Sequence, residues 1–108
     1  MAFDEDLDAR VAAFAVPLGA VRKKLFGGTG YLVGGNMMAG VHRDRLVLRL
    51  DPATGDAALA EPHVAPFDIT GRPMAGWVTV EQEGLEGEAL TGWLEKSLAY
   101  AVSLPPKS

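Results

Sequence analysis

The chain contains no cysteine, and it also lacks long hydrophobic runs. Without cysteine among the 108 residues, disulfide bonds, cysteine-ligated zinc and thiol catalysis are all excluded. The longest nearly apolar stretch, residues 11–21, contains Pro17 and Gly19 and is too short to cross a bilayer. The first residues read MAFDEDLD, which is acidic where a signal peptide would be basic, so we expect a cytoplasmic protein with no membrane contact.

Positive charge is in the minority, with 10 Lys and Arg against 14 Asp and Glu and a net charge of −4. Nucleic-acid-binding domains usually gain affinity from clustered basic side chains that neutralise phosphates. Here the dense basic cluster is Arg22, Lys23 and Lys24, with Arg43 further along the chain. We therefore do not expect nucleic-acid binding by this chain on its own, and weak binding through this basic patch stays an alternative.

Residue patterns that support catalysis are equally scarce. The glycines of residues 27–35 are not followed by the Lys-Ser or Lys-Thr pair of a phosphate-binding loop. The two histidines, His42 and His63, lack a metal-ligand spacing, and no serine stands in a G-x-S-x-G motif. We therefore expect no enzymatic activity, no catalytic residues, no metal and no cofactor. A small-molecule pocket near the Gly27-Gly28 turn stays an alternative.

The hydrophobic pattern changes from a helical period to a period of two near residue 21. A helix is predicted to begin near Asp4 and to end at Pro17, with Leu7, Val11 and Phe14 facing the core. Over residues 21–50 the alternation predicts an antiparallel meander, in which the Gly34-Gly35 pair marks a two-residue hairpin. Pairing Val33 with Asn36 and Val41 with Leu46 sorts the side chains onto two faces. The predicted core face comprises Leu32, Met37, Ala39, Val41, Leu46, Leu48 and Leu50.

The rest of the chain predicts a short helix over residues 53–60, a strand over residues 67–69 and a turn at residues 71–73. Alternation returns over residues 76–81, and an amphipathic helix over residues 90–101 ends before Pro105. The order is helix, strands, helix, strands, helix. Such segregation predicts one α+β domain over residues 1–108, built as a two-layer sandwich with an antiparallel meander sheet.

The second face of the predicted sheet is more apolar than a face that meets only water. It would carry Tyr31, Val33, Met38, Val47 and Arg49, and strand parity adds Trp77. Aromatic residues beside an arginine have the composition of an interface hot spot. Two explanations stay open, since either the terminal helix or a partner covers this face. The candidate partner or dimer face is therefore Tyr31, Met38, Val47, Arg49 and Trp77.

Two motifs carry a resemblance to a known family. Residues 23–38 read KKLFGGTGYLVGGNMM, and residues 71–78 read GRPMAGWV. Together they resemble the N-terminal domain of the TfoX/Sxy competence regulators, and the resemblance covers nearly the whole chain. It implies an α+β sandwich similar to that of secretion-chaperone-like proteins. It transfers no active site, because the motifs have no established catalytic role.

The resemblance also implies a setting in transcription. The better-known TfoX/Sxy regulators are thought to act with a cyclic-AMP receptor protein at promoters rather than by reading DNA alone. They carry a second, helical C-terminal domain, and we expect this chain to be a stand-alone N-terminal domain of a bacterial protein. The favoured hypothesis is a protein-interaction module, homodimeric, that acts as an accessory transcriptional regulator through a protein partner such as a transcription factor.

Overall fold

A computed structural model describes residues 4–25, 28–67 and 75–106 of the chain. Three helices and a six-stranded sheet form an α+β fold, as predicted. Asp4 begins the first helix as its N-cap, since its side chain accepts a hydrogen bond of 2.9 Å from the Leu7 N–H. The elements in chain order are α1 (Glu5–Ala15), β1 (Val21–Leu25), β2 (Gly28–Val33), β3 (Asn36–His42), β4 (Arg45–Arg49), α2 (Pro52–Ala58), β5 (Val64–Pro66), β6 (Trp77–Val80) and α3 (Ala89–Ser103).

The sheet is antiparallel throughout, with the strand order β1-β2-β3-β4-β6-β5. The predicted hairpin is confirmed, because Val33 pairs with Asn36 across Gly34 and Gly35. Both glycines have positive φ angles, 59° and 81°, as a type I′ turn requires. The predicted pairing of Val41 with Leu46 is confirmed as well.

A β-bulge between β2 and β3 corrects the predicted faces. Tyr31 pairs with Ala39 while the next residue, Leu32, pairs with Met37, so Met38 is the extra residue. An extra residue reverses the alternation, because successive side chains point to opposite faces. Tyr31 and Met38 are consequently fully buried in the core, at 0% exposure, and were wrongly predicted on the second face. Leu32 and Met37, which were predicted in the core, are only partly buried.

Helices α1 and α3 cover the core face of the sheet and enclose the core. Leu7 and Val11 of α1 are buried as predicted, and Phe14 is partly buried. Burying each large aliphatic side chain stabilises the fold by about 1.5–3 kcal/mol. The sheet and α3 supply most of the remaining core: Ala39, Val41, Leu46, Leu48, Leu50, Val78, Val80, Leu90, Trp93, Leu94 and Ala101.

The segment after β4 departs from prediction at one strand. Helix α2 and strand β6 lie where the sequence predicted them. Strand β5, Val64–Pro66, was not predicted and pairs with β6. Of the strand predicted at residues 67–69, only Phe67 lies among the described residues, and it follows the end of β5. The sequence did not predict β5 because this strand contains Pro66, although proline is tolerated on a strand at the edge of a sheet. The predicted turn at residues 71–73 and the rest of the predicted strand lie outside the described residues.

Candidate interaction surface

A row of aromatic side chains surrounds Arg49 and extends from the face of the sheet opposite α1 to helix α3. The ring centroid of Phe67 lies 6.1 Å from that of His42 and 6.2 Å from that of Trp77. The guanidinium carbon of Arg49 lies 5.5 Å from the Trp77 ring centroid and 5.7 Å from the Tyr100 ring centroid. Arg49 therefore joins the aromatic residues of the sheet to the terminal helix by two cation–π contacts. We call these five residues the aromatic row.

The predicted partner face is thus reduced to two of its five residues. Arg49 and Trp77 pair across β4 and β6, and both are partly exposed. Val47 lies on the same face but is only 2% exposed, so it has almost no surface left for a partner. Tyr31 and Met38 lie on the other side of the sheet, as the bulge dictates.

Trp77 also forms one wall of an apolar groove of about 530 Å³ between β6 and α2. The opposite wall includes Leu59, a large apolar side chain that is 39% exposed. The floor is a tight backbone contact, because a Cβ added at Gly55 would lie 2.6 Å from the Cα of Gly76. A groove of this shape and composition can accept an apolar side chain, with Trp77 and Arg49 contacting whatever lies beside it.

The predicted basic patch does not form one surface. Arg22 and Lys24 pair with Tyr31 and Thr29 on β2, whereas Lys23 pairs with Gly30, so alternation places Lys23 on the opposite face of β1. The guanidinium of Arg22 is moreover hydrogen-bonded to the carboxylate of Asp8. Arg43 lies in the turn between β3 and β4. A continuous basic groove for phosphates is therefore not built by these four residues.

Asp8 of α1 is the centre of a buried polar network that ties the helix to the first two strands. Its Oδ1 accepts hydrogen bonds of 2.7 Å from the hydroxyls of Thr29 and Tyr31. Its Oδ2 accepts two from the Arg22 guanidinium, at 2.8 and 3.1 Å. Asp8 is 7% exposed, so the carboxylate is both desolvated and fully partnered.

The network controls the charge state of its members. Burial alone would raise the pKa of Asp8, but the hydrogen bonds from Arg22, Tyr31 and Thr29 outweigh it and hold that pKa below its ordinary value. Burial and the adjacent carboxylate raise the pKa of Tyr31 to about 12. At neutral pH the pair is therefore one ionised carboxylate and one neutral phenol. Their hydrogen-bonding capacity is used within the fold, so we interpret the network as an anchor for α1.

One further cluster, which was not predicted from the sequence, could hold a metal. Among the described residues, His63, Glu81 and Glu83 place one ligand atom each within 4.8 Å of one another. His63 precedes β5, and the two glutamates follow β6, so the nearer glutamate, Glu81, stands 18 positions after the histidine in sequence. Spacing rules for metal motifs miss a set that is assembled by strand pairing. His42, the other histidine, packs against Phe67 instead.

Within the described residues every helix falls short of the length and apolar character that crossing a membrane requires. Comparison with curated proteins and with solved structures found no match to the chain. The model of the TfoX N-terminal domain family, in contrast, matches residues 14–101, which is most of the chain. That span includes both motifs, the whole sheet and nearly all of α3. The chain therefore belongs to the TfoX N-terminal domain family.

Proposed function

We propose that this chain is a non-enzymatic protein-interaction module that supports transcriptional regulation through a protein partner. The partly exposed members of the aromatic row and the adjoining groove would form the docking surface. Phe67, which is only 7% exposed, would support the neighbouring rings from below. The single observation that carries the proposal is the partly exposed Trp77, which contacts Arg49 on one side and lines an apolar groove on the other. Tryptophan, tyrosine and arginine are the residues most enriched at the energetic centres of protein interfaces.

Membership of the TfoX N-terminal domain family supports the regulatory part of the proposal. The net charge of −4 and the division of the basic residues between two faces of β1 favour a protein over nucleic acid as the partner. A second copy of the chain is the alternative occupant of the same surface. The proposal therefore predicts that one set of substitutions impairs binding, whichever protein is bound.

The test compares Trp77→Ala and Arg49→Ala with the wild-type chain as bait in a nuclease-treated lysate of the native organism. Val21→Ser is the matched control, because Val21 is an apolar side chain that is 56% exposed on the strand at the far edge of the sheet. Val47→Asp is unsuitable, since a charge at a position that is 2% exposed would unfold the domain. Thermal unfolding checks that each bait is folded.

We expect a transcription factor or polymerase subunit to be recovered by the wild type and by Val21→Ser, and to be lost with the two other variants. With the purified partner, Trp77→Ala should cost at least about 2 kcal/mol of binding free energy, roughly thirtyfold in Kd. Light scattering measures the mass of each bait, so a homodimer dissociated by Trp77→Ala would identify a second copy as the occupant. An identical partner list and an identical mass for Trp77→Ala and the wild type would refute the proposed surface.

A further inference from the structure

The cluster of His63, Glu81 and Glu83 lies where β5 begins and β6 ends. One nitrogen of the imidazole and one oxygen of each carboxylate lie within 4.8 Å of one another. His63 and Glu83 are exposed, and Glu81 is partly buried, so an ion can reach the three side chains from solvent. The cluster is separate from the aromatic row, which contains neither of these glutamates nor His63.

Backbone hydrogen bonds hold the three residues together. The Glu81 N–H donates to the His63 carbonyl oxygen at 2.9 Å, and the Gly84 N–H donates to the Glu81 carbonyl oxygen at 2.9 Å. The second bond closes a 3₁₀ turn over Gln82–Gly84, which returns Glu83 toward His63. A Cβ at Gly84 would lie 3.1 Å from the His63 Cβ and 3.7 Å from its Cγ, so the histidine side chain packs directly on this turn.

The turn is itself anchored to the rest of the domain. The Gln82 side-chain nitrogen donates to Asp4 Oδ2 at 2.8 Å and to the Asp44 carbonyl oxygen at 3.0 Å. These bonds connect the turn to the N-cap of α1 and to the loop between β3 and β4. Glu81 and Glu83 therefore extend from a backbone that is fixed at both ends, which lowers the entropic cost of gathering ligands around an ion.

The charges of the cluster favour a divalent cation. Two carboxylates lie together, and a positively charged side chain, Arg45, lies near one of them. A guanidinium nitrogen of Arg45 is 4.0 Å from Glu81 Oε1, and both side chains are nearly half exposed. An ion pair at that distance and exposure is weak and leaves negative charge in excess. One imidazole nitrogen with two carboxylate oxygens is a donor set that suits Zn²⁺, since imidazole prefers late first-row metals and carboxylates supply the charge.

We propose that His63, Glu81 and Glu83 bind a zinc ion, with water completing its coordination. Tetrahedral zinc with bonds of about 2.0–2.2 Å places its ligand atoms roughly 3.4 Å apart. Small rotations of the side chains would bring the ligand atoms to that separation, because these atoms already lie within 4.8 Å of one another. Bound zinc would connect the start of β5 to the turn that follows β6, and it would thereby fasten the edge of the sheet.

The test uses the full chain with any affinity tag removed, titrated with zinc chloride by calorimetry in a non-chelating buffer. We expect one zinc ion per chain. At free zinc about a hundredfold above Kd, Tm should rise on the order of 10 °C, because the ion stabilises the folded state by mass action. His63→Ala should weaken binding by more than about tenfold, since even groups outside the coordination shell typically matter by 10–100-fold. Glu83→Gln, a nearly isosteric change of an exposed side chain, should weaken binding as well.

His42→Gln is the matched control, because His42 is the other histidine of the chain and the sequence has no cysteine. It should leave zinc binding unchanged. The proposal is overturned if wild-type protein shows no saturable binding up to about millimolar zinc, a concentration far above structural sites. It is equally overturned if His63→Ala binds like the wild type, or if His42→Gln loses as much affinity as His63→Ala.

Discussion

Replacing Asp8 tests whether the buried polar network anchors α1 to the sheet. In Asp8→Asn the amide oxygen still accepts from the Thr29 and Tyr31 hydroxyls, but the amide nitrogen then faces the Arg22 guanidinium, donor against donor. Breaking a buried ion pair typically costs 3–5 kcal/mol. Because the Arg22 side chain is 38% exposed and regains water, we expect a smaller loss, about 2–3 kcal/mol of unfolding free energy.

Asp8→Ala should cost more than Asp8→Asn. It leaves two buried hydroxyls, those of Thr29 and Tyr31, without their acceptor at 2.7 Å. Each unsatisfied buried group costs about 1–3 kcal/mol, so the total loss should reach about 4 kcal/mol or more. Since small domains have only about 5–15 kcal/mol of stability, this variant should be close to unfolding at 37 °C. Asp6→Asn, an exposed carboxylate in the same helical turn, should cost about 0.5 kcal/mol or less.

The same network predicts how the difference between Asp8→Asn and the wild type depends on pH. The pKa of Asp8 in the folded protein lies below its ordinary value of 3.8, so the carboxylate contributes stability above pH 3.8 and loses that contribution as the pH falls through the folded-state pKa. The pKa of Tyr31 is raised from 10.0 to about 12, so its contribution is complete below pH 10. The stability difference should therefore be constant from pH 5 to pH 8 and should shrink below pH 3.8.

Urea unfolding followed by tryptophan fluorescence measures these free energies at each pH. An unfolding free energy of Asp8→Asn within about 0.5 kcal/mol of the wild type at pH 7, the range of ordinary surface substitutions, would refute the anchoring role of Asp8. A difference between the two proteins that is the same at pH 3 as at pH 7 would refute it as well. In either case Arg22 and the two hydroxyls would be satisfied by water rather than by Asp8.

Two further predictions concern the packing of the sheet. Leu48→Ala should lower the unfolding free energy by about 2–5 kcal/mol, because Leu48 is fully buried. Leu59→Ala should lower it by less than about 1 kcal/mol, because the Leu59 side chain is 39% exposed. Equal losses for the two variants in urea unfolding would contradict the assigned core face. Gly76→Ala should destabilise by about 2 kcal/mol or more, since its φ is +84° and the new Cβ would lie 2.3 Å from the Leu50 carbonyl oxygen. A Tm unchanged by Gly76→Ala would show that the backbone there can relax.

The sequence was sufficient for what depends on local periodicity and turn chemistry. The helices, the hairpin at Gly34-Gly35 and the pairing of Val41 with Leu46 all follow from patterns within a few residues. The bulge at Met38 could not be predicted in this way, because alternation assumes that no residue is inserted. One extra residue was enough to place Tyr31, rather than the predicted Leu32, on the core face.

The candidate site was less accessible to sequence reasoning than the fold. Arg49 and Trp77 were predicted together from parity, and β4 and β6 do bring them side by side. Tyr100 could not be added, because its contact with Arg49 depends on how α3 crosses the sheet. The grouping of His63 with Glu81 was missed for a similar reason, since it requires the pairing of β5 with β6.

The position of β6 between β4 and β5 has a consequence for synthesis on the ribosome. Strand β5 is translated before β6, yet within the described residues β6 is its partner in the sheet, and β6 also pairs with the outer side of β4. Strands β1 to β4 can pair as soon as they emerge, whereas β4 keeps open hydrogen-bonding groups until residues 77–80 arrive. Until then that side of β4 has no strand to pair with, and the GWV segment of the family motif contributes the first residues of the strand that covers it.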